Sequence, residues 1–262
     1  MSDLSYSSSF YEFLKLNQGG LPIKNNKMEQ IVHGTTIVAV AFAGGVVMAG
    51  DRRATMGNYV AQNDIEKVFP ADDFSAIGIA GSAGIAIELV KLFQVELEHY
   101  EKIEGMPLSV EGKANRLSVL LRGNLGLALE GLAALPLYAA YDPKRESGRV
   151  FSYDITGGRY EEHDYFAVGS GSLFARASLK KMFEPDQDSN FAIKIALESI
   201  YDAAEEDSAT AGPDMARNIY PVVVKVDEKG FEKIEQSQLT STLNKILAGR
   251  KKRPDGPIAR HS

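Results

Sequence analysis

Short apolar runs and longer amphipathic stretches follow one another in blocks along the chain. The short runs are rich in β-branched residues and end at glycine pairs, at proline or at charged residues, which is typical of strands. They predict strands over residues 36–43, 46–51, 64–70, 74–80, 137–141, 150–154, 166–172 and 220–226, the third of them as a short strand or a bend ended by Pro70. Apolar residues spaced by three or four predict helices over residues 85–104, 109–132, 172–183, 189–205 and 239–247.

The first predicted strand has apolar side chains on both of its faces, so we expect it to be buried on both sides. Gly44-Gly45 closes it and predicts a hairpin with the second strand. The order is strands, two helices, strands, two helices, strand. This order favours two stacked antiparallel sheets with a helical layer outside each, which is an α+β fold with four layers, α-β-β-α.

The two ends of the chain differ from this pattern. Residues 1–34 carry clustered serines and Gly19-Gly20, which is typical either of a floppy tail or of a removable pro-segment. Residues 35–248 read as one domain without a linker. Residues 249–262 contain the run Arg250-Lys251-Lys252-Arg253 and are predicted to be a flexible basic tail.

Composition narrows the possible functions. The net charge of −6 argues against nucleic acid as a partner, because phosphate binding needs concentrated lysine and arginine. With no cysteine, the chain has no disulfide, thiol nucleophile or thiolate metal site. It shows no signal peptide and no apolar run of membrane-spanning length, so we expect a soluble, cytoplasmic protein with no membrane partner.

The head of the first strand offers a nucleophile. Gly34 precedes Thr35 and Thr36 there. If the Gly34–Thr35 bond were cut, Thr35 would carry a free α-amino group beside its own hydroxyl, which is the N-terminal-threonine form of an activated nucleophile.

Polar or small residues also stand at the ends of other apolar strands. They are Asp51, Lys67, Gly81 and Ser170. Each one alone is more often structural, as an acid in a turn, a surface lysine, a helix start or a hinge. Together with an N-terminal threonine they form an interpretable set. The sequence has no G-x-S-x-G elbow, no phosphate-binding G-x-x-x-x-G-K-[ST] loop and no H-E-x-x-H zinc helix.

Six motifs in order resemble the catalytic β-subunits of 20S proteasomes of the actinobacterial type. They are Gly34-Thr35-Thr36-Ile37-Val38, Gly50-Asp51-Arg52-Arg53-Ala54-Thr55, Lys67-Val68-Phe69, Gly81-Ser82-Ala83-Gly84, Gly169-Ser170-Gly171-Ser172 and Asp207-Ser208-Ala209-Thr210-Ala211-Gly212. The resemblance covers the chain from Gly34 to about Val226. Such proteins are N-terminal-nucleophile hydrolases with an α-β-β-α sandwich, which agrees with the architecture predicted above.

The resemblance implies that the chain cleaves its own Gly34–Thr35 bond and releases residues 1–34. Thr35 Oγ1 would then attack substrate carbonyls, with its α-amino group as general base, directly or through a water. An α-amino pKa of about 7.7–8.0 suits a base working near neutral pH. No metal or cofactor is implied.

The other matching residues take supporting roles by the same resemblance. Lys67, as a fixed cation, would lower the pKa of the Thr35 hydroxyl, and Asp51 would keep Lys67 charged and oriented. The N–H of Gly81 would be the oxyanion donor. A network that supports the new amino terminus matches Ser170, Asp207 and Thr210, the last of which is serine in many relatives.

The family's substrate-binding positions map onto Ala54, Thr55, Ala61, Ile65, Ile79, Ala83 and Ala86. This wall is small and apolar, without a charge to select basic or acidic side chains, so we expect cleavage after hydrophobic residues. The alternative for the alanines is plain core packing.

The resemblance also implies partners. Family members form heptameric β-rings stacked between α-rings, and a separate ring ATPase unfolds the substrates, which in actinobacteria carry a small protein modifier. Three other interpretations stay open. They are a non-catalytic structural ring subunit, a simpler ATPase-dependent threonine protease of the same fold, and a ligand-binding sandwich without chemistry.

Overall fold

The computed structural model describes residues 34–257. The predicted pro-segment therefore lies outside the described residues except for Gly34, and so do residues 258–262 of the predicted tail.

The strands form two five-stranded antiparallel sheets and a separate hairpin. In chain order they are β1 (Thr36–Phe42), β2 (Gly45–Gly50), β3 (Ala54–Met56), β4 (Tyr59–Gln62), β5 (Val68–Asp72), β6 (Ser75–Gly81), β7 (Ala134–Asp142), β8 (Ser147–Tyr153), β9 (Arg159–Glu162), β10 (Tyr165–Gly169), β11 (Val222–Asp227) and β12 (Gly230–Lys233). The first sheet has the order β10-β1-β2-β11-β12 and the second has β5-β6-β7-β8-β9, while β3 and β4 pair with each other.

The helices are α1 (Ala83–Glu104), α2 (Val110–Gly123), α3 (Leu125–Leu129), α4 (Ser172–Met182), α5 (Ser189–Glu206) and α6 (Gln236–Lys252). Several of them begin or end at the residues that local chemistry favours. Ser109 accepts a hydrogen bond from the N–H of Gly112 at the start of α2, and Asp188 accepts one from Phe191 at the start of α5. Gly105 ends α1 in the left-handed conformation, with φ of 70°.

Strand β1 shows how the layers stack. Ile37 and Ala39 face the second sheet, in a cluster that also holds Leu137 of β7. Val38 and Val40 face the other way, in a cluster with α4, α5 and α6. The second sheet packs its outer face on α1 and α2. The fold is thus the predicted α+β sandwich with four layers, α-β-β-α, and the expectation that β1 is buried on both faces is confirmed.

Some elements differ from the sequence prediction. The helix predicted over residues 109–132 is broken at Asn124, and Leu129 of its predicted core stripe is 76% exposed. Gly123 and Gly126 flank that break, and glycine weakens a helix. Pro70 lies inside β5, an edge strand where its missing N–H removes no ladder bond. Short strands β3, β4, β9 and β12 were not predicted.

The C-terminal helix is also longer than predicted. Helix α6 runs to Lys252, beyond residue 249, where the flexible tail was expected to begin. Arg250 is 7% exposed and pairs with Glu198 and Asp202 of α5, so its place in a solvated basic run was wrongly predicted. These acidic partners are about fifty residues away, which hides the pairing from sequence reasoning. Within residues 34–257, no helix combines the length and apolar character needed to cross a bilayer.

Candidate active site

The Gly34–Thr35 peptide lies buried at the head of β1. The hydroxyl of Thr35 donates to the carbonyl oxygen of Gly34 at 2.7 Å, and the N–H of Gly34 donates to Thr55 Oγ1 at 3.0 Å. A Cβ on Gly34 would lie 1.9 Å from the Cβ of Ala209. Glycine is therefore the residue that fits before Thr35, and the hydroxyl of Thr35 is held against the peptide that precedes it.

Asp51 directly follows β2 and is fully buried beside the head of β1. Its Oδ1 accepts from Lys67 Nζ at 2.7 Å and from the N–H of Thr36 at 2.8 Å. Its Oδ2 accepts from the N–H groups of Arg53 at 2.9 Å and Ala211 at 3.1 Å. Four donors thus compensate the desolvation of this buried carboxyl group.

Lys67 lies just before β5 and is also buried. Besides Asp51, its ammonium group donates to the carbonyl oxygens of Arg53 at 2.6 Å and Gly34 at 3.2 Å. Burial lowers the pKa of Lys67, while the charge of Asp51 and its hydrogen bond act to raise it. The carbonyl of Gly34 thus receives both the hydroxyl of Thr35 and the Lys67 ammonium, an arrangement that polarises it.

Ser170, Asp207 and Thr210 meet on the other side of Thr35. Ser170 follows β10 and Asp207 follows α5. Asp207 Oδ2 accepts from Ser170 Oγ at 2.5 Å and from Thr210 Oγ1 at 2.6 Å. Ser170 Oγ lies 3.4 Å from the backbone nitrogen of Thr35. These three residues, predicted from widely spaced motifs, are therefore brought together next to the nitrogen that cleavage would free.

Gly81 ends β6 with φ of +119°, a conformation that L side chains rarely adopt. A Cβ there would lie 2.2 Å from the carbonyl oxygen of Ala133. Both observations require glycine at this position. Gly81 and Thr35 line the same pocket.

Most of the predicted substrate-binding residues line that pocket. They are Ala54, Ile65, Ile79, Ala83 and Ala86. Ala61 instead lies on β4, all of whose residues are exposed, and Thr55 contacts the N–H of Gly34. The lining also includes the charged residues Arg53, Glu66 and Lys67, which stand outside the predicted substrate-binding set. Glu66 pairs with Lys233 at 2.5 Å, a contact 167 residues apart that the sequence could not reveal.

Sequence reasoning missed two residues of the site. The hydroxyl of Thr36 lies 2.6 Å from Thr210 Oγ1. The guanidinium of Arg53 donates to the carbonyl oxygens of Ser208 at 2.9 Å and Thr210 at 3.3 Å, which ties the loop after β2 to the loop that follows α5. Both residues stand inside the motifs that carry the resemblance. Thr36 directly follows Thr35, and Arg53 lies two residues after Asp51, so these positions could have identified them. In the part of the chain that the structure describes, no group of three or more histidine, aspartate or glutamate side chains could hold a metal ion.

Comparisons with known proteins agree in one family. A family model described as "Proteasome subunit" matches residues 31–215. A protein of Acidothermus cellulolyticus named "Proteasome subunit beta" is 56% identical, over 96% of this chain and 90% of its own length. A protein of Streptomyces griseus with the same name is 52% identical, over 97% of this chain and 92% of its own.

Proposed function

Since this chain belongs to the proteasome subunit family, we propose that it is a catalytic β-type subunit, a threonine endopeptidase with Thr35 as its N-terminal nucleophile. One observation carries the proposal. Asp51, Lys67, Ser170 and Asp207 converge on the buried Gly34–Thr35 peptide from four separate segments of the chain. A ring subunit without activity would not require this arrangement.

The first reaction is self-cleavage. Thr35 Oγ1 attacks the carbonyl carbon of Gly34, its proton passes to the Thr35 nitrogen, and the Gly34–Thr35 C–N bond breaks to leave an ester on the threonine oxygen. Water then hydrolyses that ester, which frees residues 1–34 as an acid and Thr35 as an amine. The contact of Lys67 Nζ with the Gly34 oxygen supports this step, because a cation there stabilises the negative charge that develops on the oxygen.

The same residues then serve peptide cleavage. The α-amino group of Thr35 takes the hydroxyl proton, and Ser170 and Asp207 orient that amine from their positions near the Thr35 nitrogen. Lys67, released from the Gly34 carbonyl, is free to lower the pKa of the Thr35 hydroxyl. The N–H of Gly81 takes the oxyanion of the substrate carbonyl.

The substrates are unfolded proteins, cut to peptides after hydrophobic residues. The apolar residues Ile65, Ile79 and Ala86 in the pocket beside Thr35 support this preference. The relatives' names support assembly with other proteasome subunits. By the family resemblance we extend this to heptameric β-rings between α-rings, fed by a ring ATPase that delivers proteins marked by a small modifier.

The test is the intact mass of the chain after assembly with its α-subunit, for wild type, Thr35→Ala and Thr35→Ser. We expect wild type to begin at Thr35, Thr35→Ala to keep residues 1–34, and Thr35→Ser to process because serine keeps the hydroxyl. Wild-type particles that retain residues 1–34 would contradict the proposal and favour a structural ring subunit.

A further inference from the structure

Thr36, the residue after the nucleophile, makes hydrogen bonds both to Asp51 and to Thr210. Its N–H donates to Asp51 Oδ1 at 2.8 Å, and its carbonyl oxygen accepts from the N–H of Asp51 at 3.1 Å. Its hydroxyl lies 2.6 Å from Thr210 Oγ1. The side chain is fully buried, so this hydroxyl has no access to water as an alternative partner.

The direction of the Thr36–Thr210 hydrogen bond follows from counting protons. A threonine hydroxyl carries one proton, and Thr210 donates its own to Asp207 Oδ2 at 2.6 Å. Thr210 must therefore accept from Thr36. The result is a directed chain from Thr36 through Thr210 to Asp207, whose same oxygen also accepts from Ser170 beside the Thr35 nitrogen.

The backbone nearby leaves room for this chain. A Cβ on Gly171 would lie 2.3 Å from Thr36 Oγ1 and 2.8 Å from Thr210 Oγ1. Pairing of Thr36 with Gly169 across β1 and β10 places Gly171, two residues further along the chain, beside Thr36. The missing side chain at Gly171 thus leaves space for the two hydroxyls to meet.

From these contacts we propose that the hydroxyl of Thr36 is a positioning group for the reaction. It fixes the Thr210 hydroxyl, which in turn holds the Asp207 carboxylate in the orientation that Ser170 needs beside the Thr35 amine. Thr36 itself touches neither substrate nor reacting atoms. The inference rests on the proposed peptidase function and adds a residue to it.

The test compares two pairs of variants that differ by a hydroxyl at residue 36, in particles assembled with the α-subunit. Thr36 and Thr36→Val share a β-branched shape, and Thr36→Ser and Thr36→Ala share a small one. The substrate is a fluorogenic peptide with an apolar residue before the scissile bond. We expect kcat to be about tenfold lower in Thr36→Val than in wild type, and about tenfold lower in Thr36→Ala than in Thr36→Ser, the loss typical of removing one buried hydrogen-bond partner. KM should stay unchanged, because Thr36 is fully buried and is not part of the pocket lining.

Thr240→Val is the matched control. Thr240 makes a hydrogen bond to the carbonyl oxygen of Gln236 within α6, so the same substitution there should leave kcat as in wild type. If Thr36→Val retains full kcat, or if Thr36→Ser loses as much activity as Thr36→Ala, the hydroxyl has no positioning role and the inference is overturned. If Thr36→Val does not assemble, the comparison of Thr36→Ser with Thr36→Ala decides between these outcomes. Wild-type particles without peptidase activity would instead overturn the proposed function.

Discussion

Two cations are buried in the second sheet, and they are held in different ways. Lys67, just before β5, meets one carboxylate and two carbonyl oxygens. Arg149, on β8, meets three carboxylates and stacks on Phe151 with its guanidinium carbon 5.0 Å from the ring centre. The carboxylate partners of Arg149 are Glu111, Asp142 and Glu161.

The pKa values of the two cations shift in opposite directions. Burial lowers the pKa of Lys67, and Asp51 offsets this only in part. Burial also acts to lower the pKa of Arg149, but the hydrogen bonds that its guanidinium donates to the three carboxylates outweigh this effect, and the pKa is raised. A cation with one carboxylate partner can also act on the Gly34–Thr35 peptide, whereas a cation enclosed by three carboxylates suits the fastening of strands. The contrast separates a candidate catalytic group from a structural one.

The largest effect that would test this contrast is loss of the Lys67 cation. We expect Lys67→Met to lower kcat for peptide hydrolysis about a thousandfold, since a positioned charge or proton-transfer group contributes about 10²–10⁴-fold. The variant should also retain residues 1–34, because the Gly34 carbonyl loses its ammonium contact. Peptide kinetics and intact mass measure both. Normal kcat in Lys67→Met would remove the distinction between the two cations.

Removing the Arg149 cation should instead lower the free energy of unfolding. Arg149→Met leaves its carboxylates without their common cation, and we expect a loss of about 3 kcal/mol in the free energy of unfolding, the lower end for breaking a buried ion pair. The lower end applies because the side chains of Glu111 and Glu161 are 47% and 35% exposed and can be solvated. Denaturant midpoints measure this loss.

Arg145→Met is the control for Arg149→Met. The side chain of Arg145 also pairs with Glu161, at 2.9 Å, but is 55% exposed. Water screens such a pair, so its loss should cost less than about 1 kcal/mol. Equal costs for the two arginines would show that burial does not distinguish them. Neither variant should change kcat.

The same contrast shows what the sequence could predict. Lys67 was found because it stands just before an apolar pair at a strand end, within a family motif. Arg149 was not found, because the predicted strand began at Val150 and left the arginine in a turn. Its partners are 7, 12 and 38 residues away, on three other elements. Periodicity predicts which face a residue occupies but not which distant side chain it meets.

Within the site, too, the sequence predicted which residues belong to it but not which distant side chains they contact. Motif order predicted Asp51, Ser170, Asp207 and Thr210, which the structure gathers around Thr35. The hydrogen bond from Thr36 to Thr210 joins side chains 174 residues apart, a contact that the sequence does not reveal. Ala61 lies outside the pocket lining because the unpredicted β3–β4 hairpin places it on an exposed strand.

The pH profile sharpens the contrast further. If the Lys67 ammonium is required, activity should fall on the alkaline side at a pH below the ordinary lysine pKa of 10.5. Asp51→Asn removes the charge that raises this pKa, so the fall should move to still lower pH. The dependence of kcat/KM on pH measures both shifts. An alkaline limb at or above 10.5 in wild type would contradict a depressed lysine.

Unfolding would not imitate that alkaline limb. Between the folded pKa of Lys67 and 10.5, the unfolded chain binds more protons than the folded one at this residue, so this group makes stability rise with pH. Activity and stability should therefore change in opposite directions in that window, as far as Lys67 contributes. Denaturant midpoints measured across the same pH range check the sign.

The smallest effect comes from placing a lysine in the arginine's environment. Arg149→Lys keeps the charge but loses the planar fork that serves three carboxylates, for which we expect a cost of about 1 kcal/mol near neutral pH. If the environment decides the pKa, the introduced lysine should hold its proton above 10.5, opposite to Lys67.

A group whose pKa is raised by folding contributes its full stability below the unfolded pKa and loses it as pH rises through the folded pKa. The cost of Arg149→Lys, measured by denaturant unfolding against wild type, should therefore stay constant up to about pH 10.4 and grow only above it. A cost that already shrinks below that pH would show that the pKa of the introduced lysine is lowered by folding, so that burial alone sets the charge of both cations and the number of carboxylates around them does not matter.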